Sequence, residues 1–316
     1  MKNLLTLEAL TAGEMNQIFE LSFEMKATRG AHREHPLRHT CWGMIFSKSS
    51  TRTRVSFEVG VRELGGDPIF LNANDIQLGR GEPIRDTARV LGRMLHGMII
   101  RTFDQQDVDD FAHYSGIPTV NALTDQEHPC QILTDVFTYG EILRKREGSQ
   151  IAVADAIRGK VVTFIGDAAC NVPISWVFAA AKLGFELRLA APKAYQPTEN
   201  LINFARKIAA PESRFVVTEN VKDAAFNADL LYTDVWVSMG KEAEAAQRIR
   251  DMAAYQINDE VVAAARKDAV VMHCLPAYRG KEITDATFEQ FADVIFTQAE
   301  NRLHVQKAIL SLLAKG

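Results

Sequence analysis

Short apolar runs alternate along the chain with stretches in which apolar residues recur every three or four positions. The run at 42–46 predicts a buried strand, the pattern at 55–64 predicts a helix after it, and a second strand is predicted near 68–71. These three segments form a strand–helix–strand unit. The pattern further predicts strands at 97–101 and 118–122 and helices at 11–26, 86–95, 106–114 and 127–144.

A charged segment that contains Gly and Ser, 144–155, separates this half from a second series of elements. Strands are predicted there at 159–167, 186–191, 214–218 and 229–233, and helices at 199–209 and 300–313. Such regular alternation indicates an α/β fold of two domains, each a doubly wound parallel sheet flanked by helices. We expect the first domain to span 1–145 and the second to span 146–299.

The composition narrows the class of protein. With 316 residues, 47% of them hydrophobic, the chain can build two cores of moderate size. The formal net charge of -4, without any block of Lys or Arg, excludes a protein that coats nucleic acid and favours a small charged substrate. Residues 1–15 have neither a cleavage-site pattern nor a long apolar span, so we expect neither secretion nor membrane insertion.

The four cysteines and the glycine pattern bear on cofactors. The cysteines stand far apart without a Cys-x-x-Cys pair, so neither a zinc site nor a disulfide framework is predicted, and a reduced cytoplasmic location is expected. The segment GDAACN at 166–171 follows a predicted strand but lacks G-x-G-x-x-G spacing. We therefore predict no nicotinamide site, no metal and no other cofactor.

The segment SSTRTR at 49–54 joins the first predicted strand to its helix. A helix start presents unpaired backbone N–H groups at the positive end of the helix dipole, which favours an anion. Arg52 and Arg54 can each fork onto phosphate oxygens, and Ser50, Thr51 and Thr53 supply hydroxyl donors. The segment alone is more typical of an ordinary, well-capped helix start.

Other polar residues follow predicted strands in the first half. Arg101 ends a buried strand, where ligands bind in open α/β sheets, although a terminal Arg can also be merely solvated. His128 and Gln131 lie at a second helix start, which disfavours an imidazolium and suits a neutral donor. A capping His is the alternative. Residues 72–83 carry no periodicity and are expected to form a loop.

The second half repeats this arrangement. Asn171, Asp234 and Ser238, together with the segment HCLP at 273–276, all follow predicted strands. The carboxyl ends of parallel strands meet at one edge of a sheet, so we expect these polar groups to point towards the same rim. The final predicted helix places Arg302 in its first turn.

Five segments together resemble the aspartate/ornithine carbamoyltransferase family over nearly the whole chain. FSKSSTRTR at 46–54 is similar to its carbamoyl phosphate loop, and EHPCQ at 127–131 is similar to its second phosphate motif. DVWVSMG at 234–240 resembles the segment of members that act on ornithine, and HCLPA at 273–277 and QAENR at 298–302 complete the pattern. The resemblance implies carbamoyl transfer from carbamoyl phosphate to ornithine, and a C-terminal helix, 300–316, that returns to the first domain.

The resemblance also implies roles for residues. Carbamoyl phosphate would be bound by Ser50, Thr51, Arg52, Thr53, Gln77, Arg101, His128, Gln131, Cys274, Leu275 and Arg302. Ornithine would be bound by Asn171, Asp234, Ser238 and Met239. The catalytic residues would be Arg52, Thr53, Arg101, His128, Asp234 and Cys274. The family further implies a homotrimer, or a multiple of trimers, in which a neighbouring subunit's loop brings Gln77 to the site.

The chemistry of the transfer assigns tasks within this set. Arg52 would neutralise the departing phosphate, while Thr53, Arg101 and His128 would donate to the carbonyl oxygen as it becomes an oxyanion. Asp234 and Cys274 would orient the attacking amine. Direct attack by the amine needs no acyl-enzyme, so Cys274 is not expected to act as a nucleophile.

One departure from the family pattern keeps alternatives open. Cys170 stands before Asn171, and Pro173 follows, where the ornithine members usually have polar or small residues. A related amine such as N-acylornithine, putrescine or aspartate therefore stays an alternative acceptor. From a different class, a non-catalytic subunit that uses the same loop to bind a regulatory anion is the other alternative.

Overall fold

The computed structural model describes residues 1–72, 81–148, 150–238 and 240–315. The chain forms two compact units: residues 1–137 with 300–316, and residues 138–299. The division falls within a single helix, α5 (Pro129–Glu147), and not in a linker. In the described parts of the chain, no helix is both long and apolar enough to cross a lipid bilayer.

The described part of the first unit is built on a four-stranded parallel sheet in the order β2-β1-β3-β4. Its strands are β1 (Cys41–Phe46), β2 (Asp67–Asn72), β3 (Gly97–Arg101) and β4 (Thr119–Leu123). Its helices are α1 (Ala12–Ala27), α2 (Thr51–Glu63), α3 (Ile84–Leu91), α4 (Gln105–Ser115) and the first part of α5. The central strand β3 is buried along its whole length. A Cβ at Gly97 would lie 2.5 Å from the Trp42 ring, so this contact requires glycine.

The described part of the second unit has a five-stranded parallel sheet in the order β7-β6-β5-β8-β9. Its strands are β5 (Val161–Ile165), β6 (Glu186–Ala190), β7 (Arg214–Thr218), β8 (Leu230–Thr233) and β9 (Val270–His273). Its helices are α6 (Val153–Ile157), α7 (Asn171–Leu183), α8 (Glu199–Lys207), α9 (Val221–Ala225), α10 (Ala245–Met252), α11 (Asp259–Ala264) and α12 (Asp285–Gln290). The last helix, α13 (Ala292–Lys315), begins in this unit and continues into the first.

Each sheet has one place where the strand order reverses, and ligands of open α/β sheets bind at that switch point. In the first sheet it lies between β1 and β3, where Phe46 pairs with Arg101. In the second sheet it lies between β5 and β8, where Ile165 pairs with Thr233. The polar segment that begins at Ser47 therefore starts at the switch point of the first sheet. Those that begin at Gly166 and Asp234 both start at the switch point of the second.

The predicted fold class, two doubly wound parallel sheets flanked by helices with a last helix that returns to the first, is confirmed. Two helix starts were predicted wrongly. Helix α2 begins at Thr51 and not at residue 55, because Ser50 caps it by accepting a hydrogen bond from the Thr53 N–H at 3.3 Å. The anion motif thus occupies the first helical turn. Helix α13 begins at Ala292 and not at residue 300, which puts Arg302 well inside it.

Helix α13 is held against α2 inside the first unit. Its residues 301–310 are all buried. The Lys307 ammonium, fully buried, donates to Glu63 at 2.6 Å and lies 2.9 Å from Nε2 of His32, so α13 is fixed to the carboxyl end of α2. Burial lowers the pKa of Lys307, and the Glu63 carboxylate opposes this shift. The contact fixes the position of α13 along α2 and thereby of Arg302, five residues earlier.

Candidate active site

Arg302 connects the two helix starts of the first unit. Its guanidinium donates to the Gln131 side-chain oxygen at 2.6 Å and to the Thr53 hydroxyl at 3.1 Å. All three side chains are buried. Residues predicted from three separate segments, the α2 start, the α5 start and α13, therefore meet at one place.

Arg101 adds a second guanidinium to this group. It ends β3 and is buried, and its pKa is lowered to about 10 by burial and then by the positive charges of Arg302 and Arg52. Positive charges that lie close together at a buried position repel one another and destabilise the fold, and a bound anion would offset this cost. The three guanidinium groups at the amino end of α2 could together attract a multiply charged anion.

His128 contributes a neutral donor beside these cations. Burial, followed by the charges of Arg302 and Arg101, lowers its pKa well below the usual value. The imidazole is therefore uncharged at neutral pH, in agreement with the expectation from its place before α5. A neutral imidazole can donate a hydrogen bond to an oxygen that becomes negative during a reaction.

Arg54 lies elsewhere. Its guanidinium stacks 3.7 Å from the centroid of the Phe70 ring, and its Nε lies 3.3 Å from Glu58. The phosphate contact expected of Arg54 stays a prediction. An open cavity of about 460 Å³ adjoins the loop on this side and is lined in part by Ser50, Thr51 and Arg54.

A buried network behind His128 was missed by sequence analysis. The Leu7 N–H donates to the Glu127 carboxylate at 2.8 Å, and Leu4 pairs with β4 at Val120. Gln105 accepts hydrogen bonds from Thr124 and Asn121, and the Asn121 amide also donates to the Leu5 carbonyl. This network ties the first residues of the chain to the turn that carries His128. No sequence signal reveals it, because its hydrogen-bonded partners lie up to 120 residues apart.

Glu127 should make the stability of the fold depend on pH. Burial raises its pKa from 4.5 to about 8, although the Leu7 N–H favours the carboxylate. The folded state then binds a proton more tightly than the unfolded state between about pH 4.5 and pH 8, so Glu127 increasingly destabilises the fold as pH rises through this window. Glu127→Gln cannot lose a proton and so lacks this pH-dependent destabilisation. We expect the free energy of unfolding of the variant minus that of the parent to increase by on the order of 2 kcal/mol from pH 5 to pH 8. Urea unfolding at both pH values measures this, and the exposed Glu34→Gln is the control. A difference that stays constant with pH would contradict the prediction.

In the second unit, Asp234 follows β8 and interacts with Cys274, which follows β9. The Cys274 thiol donates to the Asp234 carboxylate at 2.8 Å, and the Val235 N–H donates to the same oxygen at 2.7 Å. Burial raises the pKa of Asp234, while the nearby His273 and the two donors oppose the shift. The predicted meeting of these strand ends at one rim is therefore seen for Asp234 and Cys274.

Asn171 is the first residue of α7, immediately after the capping residue Cys170. The Cys170 thiol donates to the Asp167 carbonyl at 3.2 Å. Burial, then the charges of Asp167 and Asp234, raise the pKa of this thiol well above its usual value, so it stays protonated. Cys170 therefore places a neutral thiol close to the Asp234 carboxylate.

Ser238 is half-buried in the segment after β8, and its carbonyl accepts from the Lys241 N–H. Arg248, which sequence analysis missed, holds this segment from α10. Its guanidinium donates to Asp167 at 2.6 Å and to the Trp236 carbonyl at 3.5 Å. The sequence does not distinguish Arg248 from the other basic residues of a polar helix, so its function could not be predicted. Two residues predicted to bind substrate, Gln77 and Met239, lie outside the described residues.

Two family models match the chain and together span most of it. The carbamoyl-P binding domain of aspartate/ornithine carbamoyltransferase matches residues 2–141, and the Asp/Orn binding domain matches residues 158–313. The chain belongs to the aspartate/ornithine carbamoyltransferase family. Two of the three clustered arginines, Arg52 and Arg302, lie in segments that the resemblance singled out, at 46–54 and 298–302.

Relatives of this carbamoyltransferase are similar over their full length. An ornithine carbamoyltransferase of Akkermansia muciniphila is 50% identical over 314 residues, which are 99% of this chain and 98% of the relative. The solved ornithine carbamoyltransferase of Pyrococcus furiosus is 42% identical with a TM-score of 0.90, covering 100% of this chain and 97% of that one. The anabolic enzyme of Campylobacter jejuni is 39% identical with a TM-score of 0.89, covering 100% and 99%.

Proposed function

We propose that this carbamoyltransferase transfers the carbamoyl group of carbamoyl phosphate to the side-chain amine of L-ornithine, giving L-citrulline and phosphate. The observation that carries the proposal is the group formed by Arg52, Arg101 and Arg302 at the amino end of α2, with the neutral His128 beside it. The names of the similar proteins support ornithine as the acceptor. The membership of the family supports the transferase class.

In this proposal the first unit binds carbamoyl phosphate. Ser50, Thr51 and Thr53 bind the phosphate at the start of α2, and Arg52 neutralises the charge that grows on it as the bond to carbon breaks. Thr53, Arg101 and His128 donate to the carbonyl oxygen. Gln131 and Arg302 complete the site, since Arg302 already fixes Thr53 and Gln131 through its two hydrogen bonds.

The second unit binds the amino acid. Asn171, Asp234, Ser238 and Met239 contact ornithine in this proposal, and the Asp234 carboxylate attracts its side-chain ammonium. The ornithine ammonium must release one proton as it enters the site, so that the neutral amine can attack the carbonyl carbon. The attack leaves an extra proton on the nitrogen of the tetrahedral intermediate, and the departing phosphate can accept that second proton. The tetrahedral intermediate then collapses with cleavage of the carbon–oxygen bond to phosphate.

Cys274 takes part without forming a covalent intermediate. Its thiol donates to Asp234 and so keeps its proton, whereas a nucleophile would have to be a thiolate. Cys274 and Leu275, which follow β9, are proposed to contact the carbamoyl group. The transition state is then stabilised by positive charges and hydrogen-bond donors, without a covalent enzyme intermediate.

We also propose a homotrimer, or a multiple of trimers, in which Gln77 of a neighbouring subunit completes the site. Edge strand β2 and the facing helix α2 support this, because Ile69 and Val55 expose 44% and 51% of their surface there. Among the described strands β2 lies at the edge of the sheet, and exposed apolar side chains beside an edge strand favour an interface there. The four free cysteines agree with a reducing cytoplasm.

A product assay tests the function. Purified protein with saturating carbamoyl phosphate is given L-ornithine, N-acetylornithine, putrescine or L-aspartate, and initial rates of ureido product and phosphate are compared. We expect ornithine to give the highest kcat/KM. A preference for another amine would reassign the acceptor, and the absence of any ureido product would contradict the transferase proposal in favour of a non-catalytic anion-binding protein.

A further inference from the structure

Gln105, the first residue of α4, has a buried side-chain amide that forms hydrogen bonds in four directions. Its nitrogen donates to the Asp109 carboxylate at 3.0 Å and to the Leu5 carbonyl at 3.4 Å. Its oxygen accepts from the Thr124 hydroxyl at 2.9 Å and from the Asn121 amide at 3.0 Å. A primary amide has two N–H donors and two oxygen lone pairs, so all of its hydrogen-bonding capacity is used.

The partners determine which way the Gln105 amide points. An ionised carboxylate and a backbone carbonyl can only accept, so the amide nitrogen must face Asp109 and Leu5. The amide oxygen then faces the two donors, Thr124 and Asn121. A side chain with acceptors on both branches, or with no polar atom, cannot form this set of bonds.

Gln105 lies beside an irregularity in the pairing of β3 with β4. The partner of Ile100 is Asn121, whereas the partner of Arg101 is Leu123, so β4 has one extra residue at the end of β3. An extra residue on one strand of a pair re-aims the side chains next to it. The bond from Asn121 to Gln105 therefore fixes the irregular segment that sets the direction of Arg101.

The same amide also fixes the turn that carries His128. The Thr124 hydroxyl accepts the Glu127 N–H at 3.1 Å while it donates to Gln105, and His128 is the next residue after Glu127. The charge of Arg101 contributes to lowering the pKa of His128, so the two groups lie close together. Gln105 thus contacts the segments that carry both of them.

We infer that Gln105 is a positioning residue, which holds Arg101 and His128 at the spacing that the reaction needs by tying the start of α4 to the irregular end of β4. The inference rests on the proposed function, in which both groups donate to the carbonyl oxygen of carbamoyl phosphate. Gln105 itself need not touch substrate. The charge on that oxygen develops only during the reaction, so a misplacement of about 1 Å should lower kcat by on the order of 100-fold and change KM little.

A pair of adjacent variants tests the inference by kinetics. Gln105→Met has a similar length but no hydrogen-bonding group, and its kcat should fall about 100-fold while the KM for carbamoyl phosphate stays within about threefold. Gln106→Met is the matched control, because Gln106 donates to Asp110 at 2.7 Å with the same spacing but on the exposed face of α4. Its kcat should change less than about twofold. Rates refer to the folded fraction, measured by circular dichroism. Equal kcat values for the two variants, or a loss seen only in KM, would overturn the inference.

A reversal of one hydrogen bond separates positioning from burial alone. Gln105→Glu keeps an oxygen for Thr124 and Asn121 but places a second oxygen against the Asp109 carboxylate, so its kcat should fall as far as that of Gln105→Met. Asp109→Asn alone still accepts from Gln105 and should be close to the parent. Combined with Gln105→Glu, it supplies an N–H donor to the new oxygen, and kcat should recover about tenfold. A double variant no more active than Gln105→Glu would contradict the inference.

A measurement without substrate distinguishes failure of this inference from failure of the proposed function. Imidazole resonances of His128 in histidine-labelled protein are assigned by their loss in His128→Asn. We expect them to shift in Gln105→Met and to stay unchanged in Gln106→Met. Unchanged resonances in Gln105→Met would refute the inference even if citrulline is made. A parent that makes no ureido product, although the resonances shift as expected, would refute only the proposed function.

Discussion

Replacement of Arg52 with alanine is expected to lower kcat/KM for carbamoyl phosphate by roughly 1,000-fold or more, equivalent to about 4 kcal/mol of transition-state stabilisation. Arg52 is the most exposed of the three clustered arginines, and its charge acts on Arg101 within the site. Its loss removes a cation from the departing phosphate, where negative charge grows as the reaction proceeds. Most of the loss should therefore be seen in kcat, with a smaller rise in KM.

The matched control is Arg62→Ala, an exposed arginine in the last turn of the same helix α2. It removes the same positive charge from the carboxyl end of α2, far from the amino end that carries Arg52. Activity should therefore change less than twofold. Steady-state phosphate release with both variants measures the difference. A loss in Arg52→Ala no greater than in Arg62→Ala would mean that the anion is bound elsewhere.

Replacement of Asp234 with asparagine should act on the other substrate. The amide has the same shape and can still accept from the Cys274 thiol and the Val235 N–H, but it carries no charge to attract the ornithine ammonium. We expect kcat/KM for ornithine to fall about 100-fold while the KM for carbamoyl phosphate changes less than threefold. Initial rates over a grid of both substrate concentrations separate the two constants.

Asp268→Asn provides the comparison for this variant. Asp268 is exposed in the same unit and forms surface ion pairs with Arg266 and Arg146, which contribute little. Its kinetic constants should equal those of the parent. If Asp234→Asn instead raised the KM for carbamoyl phosphate as much as that for ornithine, its assignment to the amino-acid side of the reaction would be wrong.

Strands were predicted more accurately than helix ends, for a physical reason. The strands at 97–101 and 214–218 have the predicted bounds because each is built on an uninterrupted run of three apolar residues, at 98–100 and 215–217. The start of α2 was missed because its first turn consists of hydroxyl and guanidinium side chains, which have no apolar period. That turn is stabilised by the Ser50 cap and is kept polar for the anion.

Site residues at the ends of strands could be predicted from the sequence. The residues that hold them in place through long-range contacts could not. Arg101, Asp234 and Cys274 could be placed from topology, since strand ends of a parallel sheet meet at one rim. Glu127 and Arg248 act through contacts with segments far away in sequence, and nothing in their neighbours' composition reveals those contacts. The resemblance to a family supplied Arg302, whose place on a long buried helix gives no functional signal by itself.

The return of α13 to the first unit has a consequence for biosynthesis. Arg302 and Lys307 are translated only after the entire second unit, although Arg302 belongs to the proposed anion site and Lys307 to the packing of α2 in the first. A nascent chain can therefore begin its first sheet early but cannot finish that unit until the second has left the ribosome. A premature stop anywhere between residues 138 and 301 would yield an amino-terminal fragment with its sheet residues intact, in which the proposed phosphate site lacks Arg302.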